Sequence, residues 1–332
     1  MKPRQSKIFA FLLAIVFMAF FTLACSGNPQ NPNNSTLDSG QTDTDCSVSF
    51  IDVGEGDAIF ITLPDGKCAL IDCGNKEESL AKKIENFIKV TGKTKIDYFI
   101  LSHPDIDHIG NALYLADKFS IGTAFLPNVF KTSSFPELGS VRDSLNNKGV
   151  RIKNSVIFDT IIGEDYKFVF LSPEDIDDPH GVYNDMHLIT PTASQVNNIS
   201  AVIYFECGGV RFLFTGDIDY TVESRIIDKY NIGLFDNIRG INDQPVNLNN
   251  IEFLKFSHHG AEDATSQKFL ETICPTNAVF SVGADNIYGL PSSETLSRLL
   301  LANLDCNILR TDVLGNITIN IVDGTYVINH KK

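Results

Sequence analysis

The chain has 332 residues, 43% hydrophobic and 20% charged, which excludes disorder, collagen or coiled coil as a reading of the whole. Forty-one acidic residues face 27 basic ones. Three of the basic residues, Lys2, Arg4 and Lys7, fall in a segment that reads as a removable leader, so the mature balance becomes 24 against 41, a net −17. Such a surface repels polyanions unless a local basic groove or bound cations intervene, which disfavours nucleic acid as a partner without excluding it.

Fourteen apolar residues run from Ile8 to Phe21, followed by Thr22, Leu23, Ala24 and Cys25. Basic residues, an apolar run and small residues before a cysteine predict residues 1–25 as a lipoprotein signal peptide, with lipid on Cys25. The competing reading is an uncleaved anchor, the apolar stretch being only slightly short of a span of about 20 residues. Residues 26–45 contain one large apolar residue, Leu37, and cannot offset their own ordering entropy; they are expected to form a disordered tether. The remainder, 46–329, suffices for one α/β domain held outside the cytoplasmic membrane. Beyond Cys25 there are six cysteines (46, 68, 73, 207, 274 and 306) without a C-x-x-C pair, which argues against a cysteine-based zinc knuckle and leaves disulfides or buried thiols open.

The organised part opens with strand-like runs over 46–53, 57–63 and 67–74, the last two joined by the turn Pro64-Asp65-Gly66. Leu80, Ile84, Phe87 and Ile88 share one face of a helix predicted from about Glu77 to Val90, with Gly92 as its stop. Further strands are expected at Tyr98–Leu101, Ile199–Phe205, Val210–Phe214, Ile251–Phe256 and Ala278–Val282. Helical patterns lie near 220–230, 265–273 and 292–302, and the end of the chain reads as a hairpin on an Asp-Gly turn. The stretch 172–197 is rich in Asp and lacks periodicity, as expected of a surface loop or a lid.

Three strands end in residues of ligand type: Ser102-His103-Pro104-Asp105-Ile106-Asp107-His108, Thr215-Gly216-Asp217 and Ser257-His258-His259-Gly260. In a layered α/β fold, loops at the carboxyl ends of neighbouring strands converge on one crevice. His103 and Asp105 can point together from an extended loop, while Asp107 and His108 turn into the next helix and Asp217 stands ready to bridge. Imidazoles around a bridging carboxylate suit a pair of divalent ions, which generate hydroxide near neutral pH and clamp an oxyanion. Each residue alone has an ordinary explanation as a satisfied histidine or a turn aspartate, but the ordered set has none as economical.

Those residues resemble the metallo-β-lactamase superfamily, and within it the branch formed by the extracytoplasmic hydrolase domain of the competence protein ComEC. FIDVGEGDAIFI resembles that branch's D-V-G-x-G-D opening, LIDCG its next strand, carrying Asp72, and SHPDIDHIG its form of the H-x-H-x-D-H motif. NISAVIYFECGGVRFLFTGDID resembles its strand pair ending in Gly-Asp, and LKFSHHG its late double histidine. The likeness runs from about Val48 to Ile328.

The resemblance implies a four-layer αββα sandwich holding two divalent ions, zinc or manganese, with a thin first site. It implies His103, Asp107, His108, Asp217 and one of His258 or His259 as metal ligands, with Asp105 standing where a histidine is commoner. The expected order makes His258 the ligand and His259 an outer partner or proton donor, so Asp107 and His259 are the expected catalytic residues. The usual histidine near Asn198–Ser200 has no match; His180 and His187 could substitute for it, but solvated loop histidines are the favoured reading of both. Asn111 replaces a commoner glycine, and Leu290-Pro291 replaces a His-Pro that would hold phosphate or protonate a leaving oxygen. A small-molecule or cell-surface phosphodiester is therefore the expected substrate. A ComEC-type DNA-processing nuclease and a lipoprotein that binds metal or ligand without turnover are the alternatives.

Overall fold

A computed structural model describes residues 46–129, 134–175, 191–236, 238 and 245–332. The expected leader and tether, with Cys25, and His180 and His187 lie outside the described residues. No helix among the described residues is long and apolar enough to cross a membrane.

Fifteen strands are described: β1 (Cys46–Phe50), β2 (Ile59–Thr62), β3 (Cys68–Ile71), β4 (Lys95–Ile100), β5 (Ser120–Leu126), β6 (Arg151–Asn154), β7 (Thr160–Ile162), β8 (Tyr166–Ser172), β9 (Val202–Cys207), β10 (Val210–Phe214), β11 (Phe253–Lys255), β12 (Asn277–Phe280), β13 (Asn307–Arg310), β14 (Asn316–Val322) and β15 (Thr325–Lys331). They form an eight-stranded sheet, ordered β15-β14-β1-β2-β3-β4-β5-β6, and a seven-stranded sheet, ordered β13-β12-β11-β10-β9-β8-β7. Strands β3 to β6 run parallel, as do β10 to β13, so each sheet has a block of carboxyl ends facing the same way.

Alternation along the strands explains the layers. In β2, Ile59 and Ile61 face the space between the sheets, whereas Phe60 faces the other side; in β3, Ala69 and Ile71 alternate with Leu70 in the same way. The inter-sheet layer joins these residues to Phe168, Phe170, Phe205, Phe212, Phe214 and Phe253 of the second sheet. Phe212 and Phe253 stack with centroids 4.8 Å apart, and Phe168 and Phe205 at 4.5 Å. Truncating one such ring would cost about 3–5 kcal/mol through lost burial and the cavity left behind.

Helices cover the outer faces. The helix α1 (Glu78–Val90) lays Ala81, Ile84 and Ile88 against the first sheet, one residue shorter at its start than the sequence predicts. On the second sheet the cover comes from helices at Tyr220–Asn231, Gln267–Ile273 and Ser293–Ala302, each capped by a side chain, respectively Asp219, Ser266 and Ser292. The terminal hairpin β14–β15 turns at Asp323-Gly324 as expected, with β14 paired to β1 to extend the first sheet. The whole is a mixed α/β sandwich of two sheets between helical layers. Of the stretch 172–197, the ends are the last residue of β8 and a short helix at Ala193–Asn197 with a Thr192–Gln195 capping box.

Candidate metal centre

The loops at the carboxyl ends of β3, β4, β10, β11 and β12 meet at one edge of the sandwich, joined by the β1–β2 loop. Two glycines permit the approach. A methyl group on Gly56 would sit 2.2 Å from the carbonyl oxygen of Asp107, and one on Gly216 would sit 2.7 Å from Ser200 Cβ. Both also have positive φ, where side chains are disfavoured.

His103 and His108 are fully buried. Asp107 and His108 lie in a short helix, Ile106–Ile109, and their atoms converge with those of Asp217 and His259, ligand atoms of all four lying within 4.8 Å of one another. His108 Nε2 is 3.3 Å from Asp217 Oδ2, and His259 Nε2 is 3.5 Å from the same oxygen and 3.6 Å from Asp107 Oδ2. The expected order of the double histidine is reversed. His258 is partly exposed and faces Asp263 at 3.5 Å, while His259 is buried in the cluster. The cause is local backbone: His258 and His259 both take positive φ, 48° and 55°, ahead of Gly260, and this left-handed turn carries the second imidazole inward. The His258 amide also donates to Gly216 O, locking that loop to the one bearing Asp217.

The far nitrogens decide what the imidazoles can do. His259 Nδ1 is 2.8 Å from the Ser281 carbonyl, which can only accept, so Nδ1 carries the hydrogen. His108 Nδ1 meets Asp72 Oδ2 at 2.8 Å. The Ser102 hydroxyl donates to the same carboxylate at 2.6 Å and so accepts from His103 Nδ1 at 3.0 Å. With each Nδ1 engaged as a donor, Nε2 is the nitrogen that can offer a lone pair to a cation once any proton on it is displaced, and these three buried Nε2 atoms make no hydrogen bond. Asp217 Oδ1 and Asp57 Oδ1 are likewise buried without one. Oriented imidazoles with tied outer nitrogens are the usual support of a metal, and the donor set fits a divalent cation.

Charge points the same way. Burial pushes His259 toward the neutral form, but the Asp217 and Asp107 carboxylates override it and raise its pKa to about 10. His108, also buried, is driven well above the ordinary range by Asp217 and Asp72. Burial would raise Asp217, yet His108 and His259 hold it well below the usual carboxylate range. Without a metal the cluster holds protons; it is a site that demands positive charge. His103, buried and beside His108, is lowered to about 3 and stays neutral.

Asp105 sits at the mouth, its Oδ2 3.9 Å from His103 Nε2, and burial together with Asp107 raises it to about 6. The amide of Asn197, turned so that its nitrogen faces Asp105, donates to Oδ2 at 3.3 Å. His103 and Asp105 stand beside the inner cluster but outside the group whose ligand atoms all lie within 4.8 Å of one another, and no further imidazole joins them among the described residues. Ser200, close to where one is expected, uses its hydroxyl to hold the Asn197 carbonyl and the Asp217 amide. Asn111 is no idle replacement: its amide donates to Cys73 O and Asn75 O, bracing the loop after β3.

Sequence reasoning did not single out four residues at this site. Asp57 and Lys255 form a buried ion pair, Ser102 orients His103, and Glu55 keeps a buried, unpartnered Oε1 near His259. A lysine inside the apolar run Ile251–Phe256 was the readable signal for the first pair.

Two sheets between helices, with histidines and aspartates gathered at the carboxyl edge, define an α/β sandwich with a candidate metal centre at its rim. The chain belongs to the metallo-β-lactamase superfamily, whose model matches residues 51–282. It is 28% identical over 285 residues to ComE operon protein 3 of Bacillus subtilis (strain 168), covering 81% of this chain and 32% of that protein. It is 24% identical over 285 residues to competence protein ComA of Neisseria gonorrhoeae, covering 85% of this chain and 33% of that protein. The chain therefore spans about a third of the length of these curated relatives. Among solved structures, CmlA, a diiron β-hydroxylase from Streptomyces venezuelae, shares the fold with a TM-score of 0.52 at 13% identity, over 84% of this chain and 55% of that one.

Proposed function

We propose that this protein is a metal-dependent hydrolase of a phosphodiester or related ester, tethered outside the cytoplasmic membrane through lipid on Cys25. The observation that carries the catalytic part is the convergence of His103, His108 and His259 through unpartnered Nε2 atoms beside Asp107 and Asp217. Asp107, His108, Asp217 and His259 would hold one divalent ion; His103, Asp105 and Asp217 would hold a weaker second one. Mixed imidazole and carboxylate donors suit zinc or manganese. When bound, such an ion supplies Lewis acidity, lowering the pKa of water and drawing off oxyanion charge.

The chain's own groups do the rest. Asp107, kept ionised by His108 and His259 against the effect of burial, stays a carboxylate that can help hold the ion and accept a hydrogen bond that orients the attacking water. Asp105, raised to about 6 by burial and Asp107, is protonated in only a minor fraction near neutral pH; that fraction, with no ion at the outer position, would be able to give a proton to the departing alcohol oxygen. Water adds to phosphorus, the ester P–O bond breaks, and the products are a phosphomonoester and an alcohol. His259 keeps its imidazole aimed through the Ser281 carbonyl, and Asp72 does the same for His108.

A second reading, the ComEC-type DNA-processing nuclease that the sequence motifs resemble, is supported by the likeness to a protein named for competence. The acidic balance and Leu290 in place of a phosphate-holding histidine stand against it. The deciding experiment measures metal per protein after dialysis, with turnover of a chromogenic phosphodiester. Tightly held metal with turnover is expected; failure to bind any divalent ion would remove the reading. For the tether, Cys25→Ser should abolish fatty-acid labelling in cells, and unchanged labelling would remove that part alone.

A further inference from the structure

The segment between β12 and the helix at Ser293–Ala302 leaves the sheet directly behind His259, whose Nδ1 is held by the Ser281 carbonyl. Its first foot, Gly283, packs on the β1–β2 loop, where a methyl group would lie 3.1 Å from the Glu55 amide nitrogen. Its second foot lies against the double-histidine turn: the Ser292 amide donates to Gly260 O at 2.9 Å, and Pro291 packs on Gly260. One side chain closes the neck. Asn286 donates to Gly283 O and Leu290 O, at 3.0 and 2.9 Å, and accepts from the Leu290 amide at 2.8 Å.

That clamp holds out a tip with two large apolar side chains in solvent, Ile287 at 89% exposure and Tyr288 at 71%. Asn286 closes the neck on itself, and the two feet, Gly283 on the β1–β2 loop and Pro291 with Ser292 on Gly260, root the segment on the two loops that frame His259. No basic residue lies between Gly283 and Ser292, and Asp285 adds negative charge, so the tip cannot take up a further phosphate. What it offers is an apolar and aromatic surface beside a polar reaction centre, the usual division of labour in a small-molecule site.

We propose that Ile287 and Tyr288 receive the organic part of the substrate, and that the preferred ester carries a planar, uncharged group beside the scissile bond. This rests on the hydrolase reading and narrows it from esters in general to aryl-like or similarly flat ones.

The chain has no tryptophan, so Tyr288→Trp places a single indole reporter at the tip. Its fluorescence in the metal-loaded protein should saturate with diphenyl phosphate and respond at least about tenfold more weakly to dimethyl phosphate. In turnover, the combined Ile287→Ser and Tyr288→Ala change should raise KM for bis(4-nitrophenyl) phosphate about tenfold more than for methyl 4-nitrophenyl phosphate, with kcat little changed. Tyr288→Phe should keep the wild-type KM, since the ring carries the contact. Hydrolysis of both esters with KM unmoved, or moved equally, would overturn the contact and leave the hydrolase reading intact. Saturable binding of diphenyl phosphate without hydrolysis of either ester would support the contact and overturn the hydrolase reading.

Discussion

Lys255 Nζ lies 2.5 Å from Asp57 Oδ2, with both side chains buried, one supplied by β11 of the second sheet and the other by the β1–β2 loop of the first. The same ammonium is 3.8 Å from Asp217 Oδ1. Burial would discharge the lysine, but Asp57 and Asp217 overcome that and raise its pKa. The pair pins the sheets together directly beneath the ligand cluster. Lys255→Met, leaving Asp57 buried and unpaired, should therefore destabilise the protein by about 3–5 kcal/mol in urea denaturation. Asp57→Asn combined with Lys255→Met should cost clearly less than the sum of the single changes, a coupling that a double-mutant cycle measures directly.

The two adjacent histidines should separate cleanly. His259→Ala removes a nitrogen from the cluster and should lower metal affinity by at least about 10–100-fold, with hydrolysis falling alongside. His258→Ala should leave metal content unchanged within error. Asp217→Ala should lose more metal than Asp105→Ala, because Asp217 touches both imidazoles of the inner cluster and Asp105 sits at the mouth. Metal per protein after dialysis reads all four variants.

Acid should strip the metal. Binding at Nε2 must displace the protons that Asp217 and its neighbours otherwise hold on His108 and His259. Each displaced proton weakens apparent affinity by about tenfold per pH unit below the pKa concerned. In metal-free protein the sign for stability is the opposite of the usual carboxylate case. His259 is raised in the folded state, to about 10, so its contribution is complete below the unfolded value of about 6.5 and is lost as pH rises through about 10. Thermal denaturation of metal-free protein between pH 6 and 10 should show stability falling as pH rises, and added metal should remove most of that slope.

Salt separates the two enzyme readings. A nuclease contacts several phosphates, and each neutralised one steepens the fall of affinity with ionic strength. A small-ester hydrolase with an acidic surface should hydrolyse a phosphodiester at nearly constant rate from low to physiological salt, and cleave DNA weakly or not at all. Efficient DNA cleavage that collapses with salt and disappears in His108→Ala would favour the nuclease instead.

Much of the sandwich was legible along the chain because its strands alternate or run continuously apolar and its helices repeat every three to four residues. The helix at Glu78–Val90, the strand before His103 and the closing hairpin all carry local signals. The strand at Tyr166–Ser172 and the helix at Pro136–Asn147 went unmarked, the first because its polar residues Tyr166, Lys167 and Ser172 are buried by partners distant in sequence. Ligand types were equally plain, since chemistry fixes which side chains can hold a metal.

Which of two neighbouring histidines turns inward depends on a left-handed backbone at His258 and His259 and on a carbonyl at Ser281 waiting to receive Nδ1. The Asp57–Lys255 pair spans nearly 200 residues of chain and exists only once the two sheets face one another. Residue type and local periodicity are properties of short segments and can be read from them. Proton placement, the choice between adjacent imidazoles and the partner of a buried charge are set by groups far away in sequence, so the tertiary structure alone decided them.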